Sequence, residues 1–203
     1  MPVFNRRTPL MMSTSPETDT ALVERTLGGD LRAFEGLVER HRDVVFRVAA
    51  RIVGLEEAAD VSQDAFLRAF HRLSSFKADA PFRVWLLQIT HNAAINTAMR
   101  RRPQPVDSQL EMAEETDPSD GERRPVESLE RREREQRMRL KLGSLRPSYR
   151  SLVVLRDIEG LSYEEIAELM EMPVGSVKGR LHRARQEMID LLRNNTYDWD
   201  LPS

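Results

Sequence analysis

A chain of 203 residues and 23.4 kDa, 40% hydrophobic and 32% charged, has the composition of an ordinary globular protein with room for one domain or two small ones. The absence of cysteine excludes disulfides, thiolate metal sites and thiol nucleophiles, and the formal net charge of -2 means that any nucleic-acid surface must be local. No apolar run approaches the roughly 18 residues of a membrane span, and no leading stretch joins basic residues, an apolar run and a small-residue cleavage site, so a cytoplasmic location is expected.

Residues 1–18 mix Pro, Ser and Thr without period and read as a disordered N-terminal arm, with Met1, Met11 and Met12 each a candidate start. Residues 19–102 form a first helical module. Behind Asp30 as N-cap, Leu31, Phe34, Leu37 and Val38, then Val45, Val48, Ala49 and Ile52, recur at threes and fours. The next segment, EEAADVSQDAFLRAFHRL, sets Asp60, Gln63 and Asp64 against Val61, Phe66, Leu67 and Phe70, which predicts an acidic face and a core face. Paired carboxylates can serve acid-base chemistry or a metal. No His-rich partner set or Gly-rich phosphate loop accompanies them, so a helix-on-helix protein interface is the better reading.

In SSFKADAPFRVWLLQITHNAAINTAMRRR, residues 74–102, Phe82, Leu86, Ile89 and Ala93 form the predicted buried stripe. Trp85, Asn92 and Asn96 line one flank, and Arg100, Arg101 and Arg102 close the end. Rings, amides and cations together suit unpaired bases, which stack, hydrogen-bond and carry phosphates; Trp85 and Phe82 equally suit a plain core role. Residues 103–126 are a flexible acidic linker: within 103–122 stand seven acidic residues, three prolines and no basic residue. A second module covers 127–195, opening on the charged helix ERREREQRMRLKL, and residues 196–203 form a tail. No alternating strand pattern occurs, so the expected class is all-α: two small helical domains, the second carrying a helix-turn-helix.

That motif is read from LSYEEIAELMEMPVGSVKGRLHRAR. Ser162 and Glu165 make a capping box, and Ile166, Ala167, Leu169 and Met170 form the apolar side of a helix of about two turns. Glu171, Met172 and Pro173 leave room only for a tight turn. On the following helix Val177, Leu181, Ala184 and Met188 share one stripe; Lys178, Gly179, His182, Arg183 and Gln186 lie opposite, flanked by Arg180 and Arg185, which suit phosphates. Gly175, Ser176 and Gly179 remove bulk where a recognition helix enters the major groove. His182 has no second ligand at metal spacing and is assigned to base or backbone contact. A solvated charged face is the plainer alternative; the capped helix, the tight turn and the lack of central acidic residues favour DNA.

Taken in order, DVSQDAF, F-x5-F-x-x-W-L-x-x-I-x-x-N, an acidic linker and LSYEEIAELM-x-x-P-x-GSVKGRLHRAR resemble bacterial sigma factors of the extracytoplasmic-function group over about residues 20–193. The resemblance implies a non-catalytic specificity subunit of RNA polymerase that recognises the minus-35 and minus-10 promoter elements and opens the duplex for a stress or envelope regulon. It implies no cofactor, no metal and no small-molecule substrate. Asp60, Gln63, Asp64 and Phe66 would meet the clamp helices of the largest polymerase subunit, and the second module the flap of the second subunit. Loop 76–81, with Phe76 and Lys77, would receive a flipped minus-10 base beside Trp85; Asn92 and Asn96 would contact nearby bases, and Arg100, Arg101 and Arg102 the backbone. Ser176, Lys178, Gly179, Arg180, His182 and Arg183 would read the minus-35 element. The linker would thread the polymerase channel, and a separate anti-sigma partner, often membrane-bound in the family, would hold the protein in check at the inner membrane face. Two other classes compete: a free-standing helix-turn-helix regulator, and a helical adaptor whose basic helix binds an acidic protein.

Overall fold

The computed structural model describes residues 17–100, 138 and 140–193, and every regular element among them is helical. Most of the expected N-terminal arm, Arg101 and Arg102, the acidic linker, most of the charged helix at 130–142 and the tail lie outside the described residues. Thr18, expected in the arm, instead caps α1 (Asp19–Leu27) by accepting a bond from the Ala21 N–H at 3.3 Å. Asp30 caps α2 (Leu31–Val53) as expected, accepting from the Arg32 N–H at 3.1 Å. Arg25 reaches both Glu17 and Asp30 and so ties the two ends of α1 together. Gly54, at φ +96°, ends α2 and starts α3 (Leu55–His71); a side chain there would be strained, so the sharp bend between two long helices rests on glycine. A short 3-10 turn (Leu73–Ser75) and a loop lead to α4 (Phe82–Arg100).

In the second module residues 140–144 are helical, and α5 (Pro147–Val153) follows with Pro at its first position and widens into a π turn over Val154–Ile158. The capping box of α6 (Tyr163–Leu169) forms as read: the Glu165 N–H donates to Ser162 Oγ at 3.1 Å and the Ser162 N–H to Glu165 Oε2 at 2.7 Å. The turn into α7 (Val174–Arg193) is held by the Met172 N–H on the Ala167 carbonyl and the Glu171 N–H on the Glu168 carbonyl. Glu171 takes φ +52° at the position where such caps favour glycine.

The two modules do not keep separate cores. Leu37, Val45, Ala65, Ala69, Leu86 and Ile89 fill one cluster within the first module. A second cluster runs from Val48, Ile52, Val61 and Leu87 of the first module through Leu152, Leu155 and Leu161 to Ile166 and Leu181 of the second. Helix α2 therefore buries two faces, and α4 is apolar on nearly every side because it is covered from both directions. Arg150 adds a polar tie. Its Nη1 donates to the Ile52 carbonyl at 2.6 Å, one of the last-turn acceptors of α2 that no backbone N–H can satisfy, and its Nη2 donates to the Gly143 and Leu145 carbonyls.

His91 lies buried at this junction, with Nε2 3.3 Å from Ser151 Oγ and Nδ1 3.3 Å from Asn92 Oδ1. Burial pushes its pKa below the ordinary 6.5, against a smaller upward effect of Asn92. Above that value the ring is neutral in both states. Below it the unfolded chain takes up a proton that the folded chain resists, so stability falls as the pH drops from 6.5 toward the lower folded value. Urea unfolding at falling pH should show this loss in the native chain and a smaller one in His91→Asn.

Three expected core positions are corrected. Leu31 is 62% exposed at the first turn of α2, and Leu67 is 53% exposed on α3. Phe70 is also at the surface, its ring edge-on to Phe34 at 5.0 Å. The core stripe of α3 is instead Ala58, Val61, Ala65 and Ala69, small residues that let α3 lie close to its neighbours and turn the large ones outward.

Candidate nucleic-acid interface

The Pro173 carbonyl starts α7 by accepting from the Ser176 and Val177 N–H groups. Val177, Leu181 and Ala184 are buried and Met188 partly so; this pins the helix on one side. Ser176, Lys178, Gly179, Arg180, His182, Arg183 and Gln186 are all exposed, as the helical wheel requires. Arg180, His182 and Arg183 have no hydrogen-bond or ion-pair partner among the described residues. Lys178 Nζ lies 5.3 Å from the Tyr163 ring centroid, and the Arg156 guanidinium is 4.5 Å from the same centroid. Arg185, expected on phosphate, is instead paired with Asp157 at the end of the π turn, so it braces the helix against its own module.

The glycines of this helix are informative. A Cβ added at Gly175 or Gly179 would meet no atom within 4 Å, so the fold does not require glycine at either place. Glycine inside a helix nevertheless costs about 1 kcal/mol relative to alanine. Neither packing nor a positive φ sets glycine at these two positions.

On the first module the rings of Phe76, Phe82 and Trp85 pack together with centroids 5.4–5.6 Å apart. Phe82 is buried and takes the core role, whereas Phe76 and Trp85 are partly exposed. Lys77 is exposed on the loop that follows, and an open hollow of about 670 Å³ adjoins that loop, lined among others by Thr18, Asp19, Arg40, Asp79 and Pro81. The pattern reading missed Thr18 and Arg40, which come to the hollow only through tertiary contact. Asn92, Asn96 and Arg100 are exposed along α4. Asn92 also lines a cleft of about 230 Å³ between the modules whose opposite wall includes Met170, Glu171, Met172 and Arg180.

On α3, Asp60 and Gln63 are exposed, Asp64 is partly so and pairs with Arg68 at 2.8 Å, and Phe66 leans on the first core cluster. Leu67 stands on the same outer face, so this surface is apolar as well as acidic. Among the described residues no group of His, Asp and Glu could hold a metal, and no helix is long and apolar enough to cross a membrane.

Comparison with known proteins gives the class. The family described as Sigma-70 region 2 matches residues 37–104, and Sigma-70 region 4 matches residues 135–188. The chain is 39% identical over 178 residues to the ECF RNA polymerase sigma-E factor of Haemophilus influenzae, covering 85% of this chain and 94% of that one. It is 38% identical over 177 residues to the RNA polymerase sigma-H factor of Pseudomonas aeruginosa, covering 84% and 91%. Among solved structures it is similar to CnrH in complex with the cytosolic domain of CnrY, with a TM-score of 0.64, 29% identity, and 89% and 100% of the two chains covered. The sigma factor RpoE of Bartonella quintana, solved with the anti-sigma factor NepR, shares the fold at a TM-score of 0.56 and 19% identity, covering 79% and 96%. The chain belongs to the extracytoplasmic-function sigma factors of RNA polymerase.

Proposed function

We propose that this sigma factor reads duplex DNA with α7 and holds a separated strand with the first module, while core polymerase supplies all chemistry. The observation that carries the reading is the row Ser176, Lys178, Arg180, His182 and Arg183 around Gly179: exposed, rich in cations, and built around a glycine that the fold does not need. A helix about 10–12 Å across fits a major groove about 12 Å wide only if its leading side chains are small or reach base edges. Ser176 and Gly179 meet the first condition, Lys178, His182 and Arg183 the second, and Arg180 flanks them toward the phosphates. Together they form the minus-35 surface.

For the minus-10 element, Phe76 and Trp85 stack with Phe82, and Phe82 lines the open hollow together with Ala78, Asp79, Ala80 and Pro81, the residues after Lys77; an extruded base would lodge there. Asn92 and Asn96 offer amide bonds to its neighbours, with Arg100 to Arg102 on the backbone. Unstacking costs about 1.4 kcal/mol per step, so one captured base offsets only part of the opening and the polymerase cleft must supply the rest. The acidic and apolar face of Asp60, Gln63, Asp64, Phe66 and Leu67 is the polymerase-binding surface. The modules are assigned to 19–102 and 127–195, and the protein to the cytoplasm. A protein partner that holds the chain in check, of the anti-sigma kind, is inferred because CnrH, at 29% identity, was solved in complex with the cytosolic domain of CnrY.

Gel shifts with and without core polymerase test this reading. Salt-steep, promoter-specific binding should appear only with core; tight specific binding without core would favour a free-standing regulator. For the polymerase-binding face, Asp64→Arg should weaken core binding at least tenfold through one misplaced charge. It should leave the melting curve nearly unchanged, because the exposed Asp64–Arg68 pair contributes about 0.3–0.5 kcal/mol. Fluorescence titration of labelled core and a circular-dichroism melt check the two halves.

A further inference from the structure

Glu159 belongs to the second module, yet its carboxylate is held by the first. Its side chain is 2% exposed. Arg47 of α2 donates to both oxygens, Nε to Oε1 at 2.9 Å and Nη2 to Oε2 at 3.1 Å. Arg83 of α4 donates to Oε2 at 2.8 Å, and Arg51 Nη1 stands 3.8 Å from Oε1. The chain is shaped to deliver this group: the π turn over Val154–Ile158 ends with the Glu159 N–H donating to the Val154 carbonyl at 2.9 Å, and Gly160 follows at φ +76°. The three arginine side chains remain 30–41% exposed, so dissolved salt reaches the pairing although the carboxylate is covered.

This contact closes the molecule in a form that cannot bind a promoter at two places. Asn92, assigned to the minus-10 element, and Arg180, assigned to the minus-35 element, line the same cleft of about 230 Å³. Elements about 25 base pairs apart are separated by roughly 85 Å at about 3.4 Å per pair. The modules must therefore part before both surfaces engage.

We propose that Glu159 is a latch: its bond to Arg47 and Arg83, beside Arg51, adds to the shared apolar cluster in holding the free chain closed, and releasing it shifts the chain toward a form competent for polymerase and promoter. This rests on the promoter-binding reading above. The chain has no cysteine, so dyes at Ser74→Cys and Glu168→Cys, both exposed, would report the distance between the modules in the full-length protein. In low salt the native pairing should give one narrow energy-transfer population. Glu159→Gln, and independently Arg47→Gln with Arg83→Gln, should shift it and broaden it with the circular-dichroism spectrum unchanged, and 1 M NaCl should move the native chain the same way. If the open fraction of the free chain is about one tenth, unlatching should tighten apparent core binding by about tenfold. An unchanged distance in both well-folded variants would overturn the latch, as would opening without tighter core binding. Should the native chain direct no transcription with core while the distance shift is present, the promoter-binding reading fails and the latch stands.

Discussion

Replacing Ile166 with alanine should lower the unfolding free energy by about 2–5 kcal/mol, and replacing it with valine by only about 0.5–1.5 kcal/mol. Ile166 has no exposed surface and sits in the apolar cluster that joins both modules, beneath the turn that aims the recognition helix. Because Val48, Ile52 and Leu87 share that cluster with Leu155, Ile166 and Leu181, the loss should be felt across the junction. Urea unfolding followed by circular dichroism should give one cooperative transition in the native chain, moved to lower urea by Ile166→Ala. Two transitions, only one of them moved, would mean that the modules fold independently.

The second large effect is on recognition. Arg183→Ala should cost about 1–3 kcal/mol of promoter discrimination, the value of one bidentate base contact, and relax preference at one position of the minus-35 element. Arg183 is exposed and has no partner among the described residues, so the melting temperature should hardly change. Competition binding by the polymerase holoenzyme, with each base of the element varied, measures both the size and the position of the loss. A decrease spread evenly over all promoters would assign Arg183 to the phosphate backbone instead.

Much of this architecture is legible in the amino-acid order because short-range chemistry fixes it. Thr18 aside, the caps at Asp30 and Ser162, the two-turn helix before Pro173 and the Val177, Leu181 and Ala184 stripe all follow from spacing, and each forms as read. What spacing does not carry is which of two apolar faces meets which neighbour. Leu31, Leu67 and Phe70 look like core in a helical pattern, but α3 packs through Ala58, Ala65 and Ala69, and the larger residues are left outside. The same limit hides the shared core, because Val48 and Val45 differ in partner though not in chemistry. Charge pairing is equally long-range. Arg185 reads as a cation for phosphate until Asp157 is brought beside it, and nothing in the local order brings to Glu159 the three arginines that stand 76 to 112 positions away. Of the candidate site, the buried stripe and the exposed face of α7 follow from spacing, the partner of Arg185 apart; the hollow beside loop 76–81 and the cleft joining Asn92 to Arg180 exist only in the folded chain.

Run-off transcription by core polymerase from the source organism, on templates drawn from its own promoters, tests the function most directly. Addition of this protein should yield transcripts of defined length from a distinct set of promoters, and Arg183→Ala should lose them selectively. No protein-dependent transcript from any template, with the added chain folded and the core active with another sigma factor, would contradict the assignment.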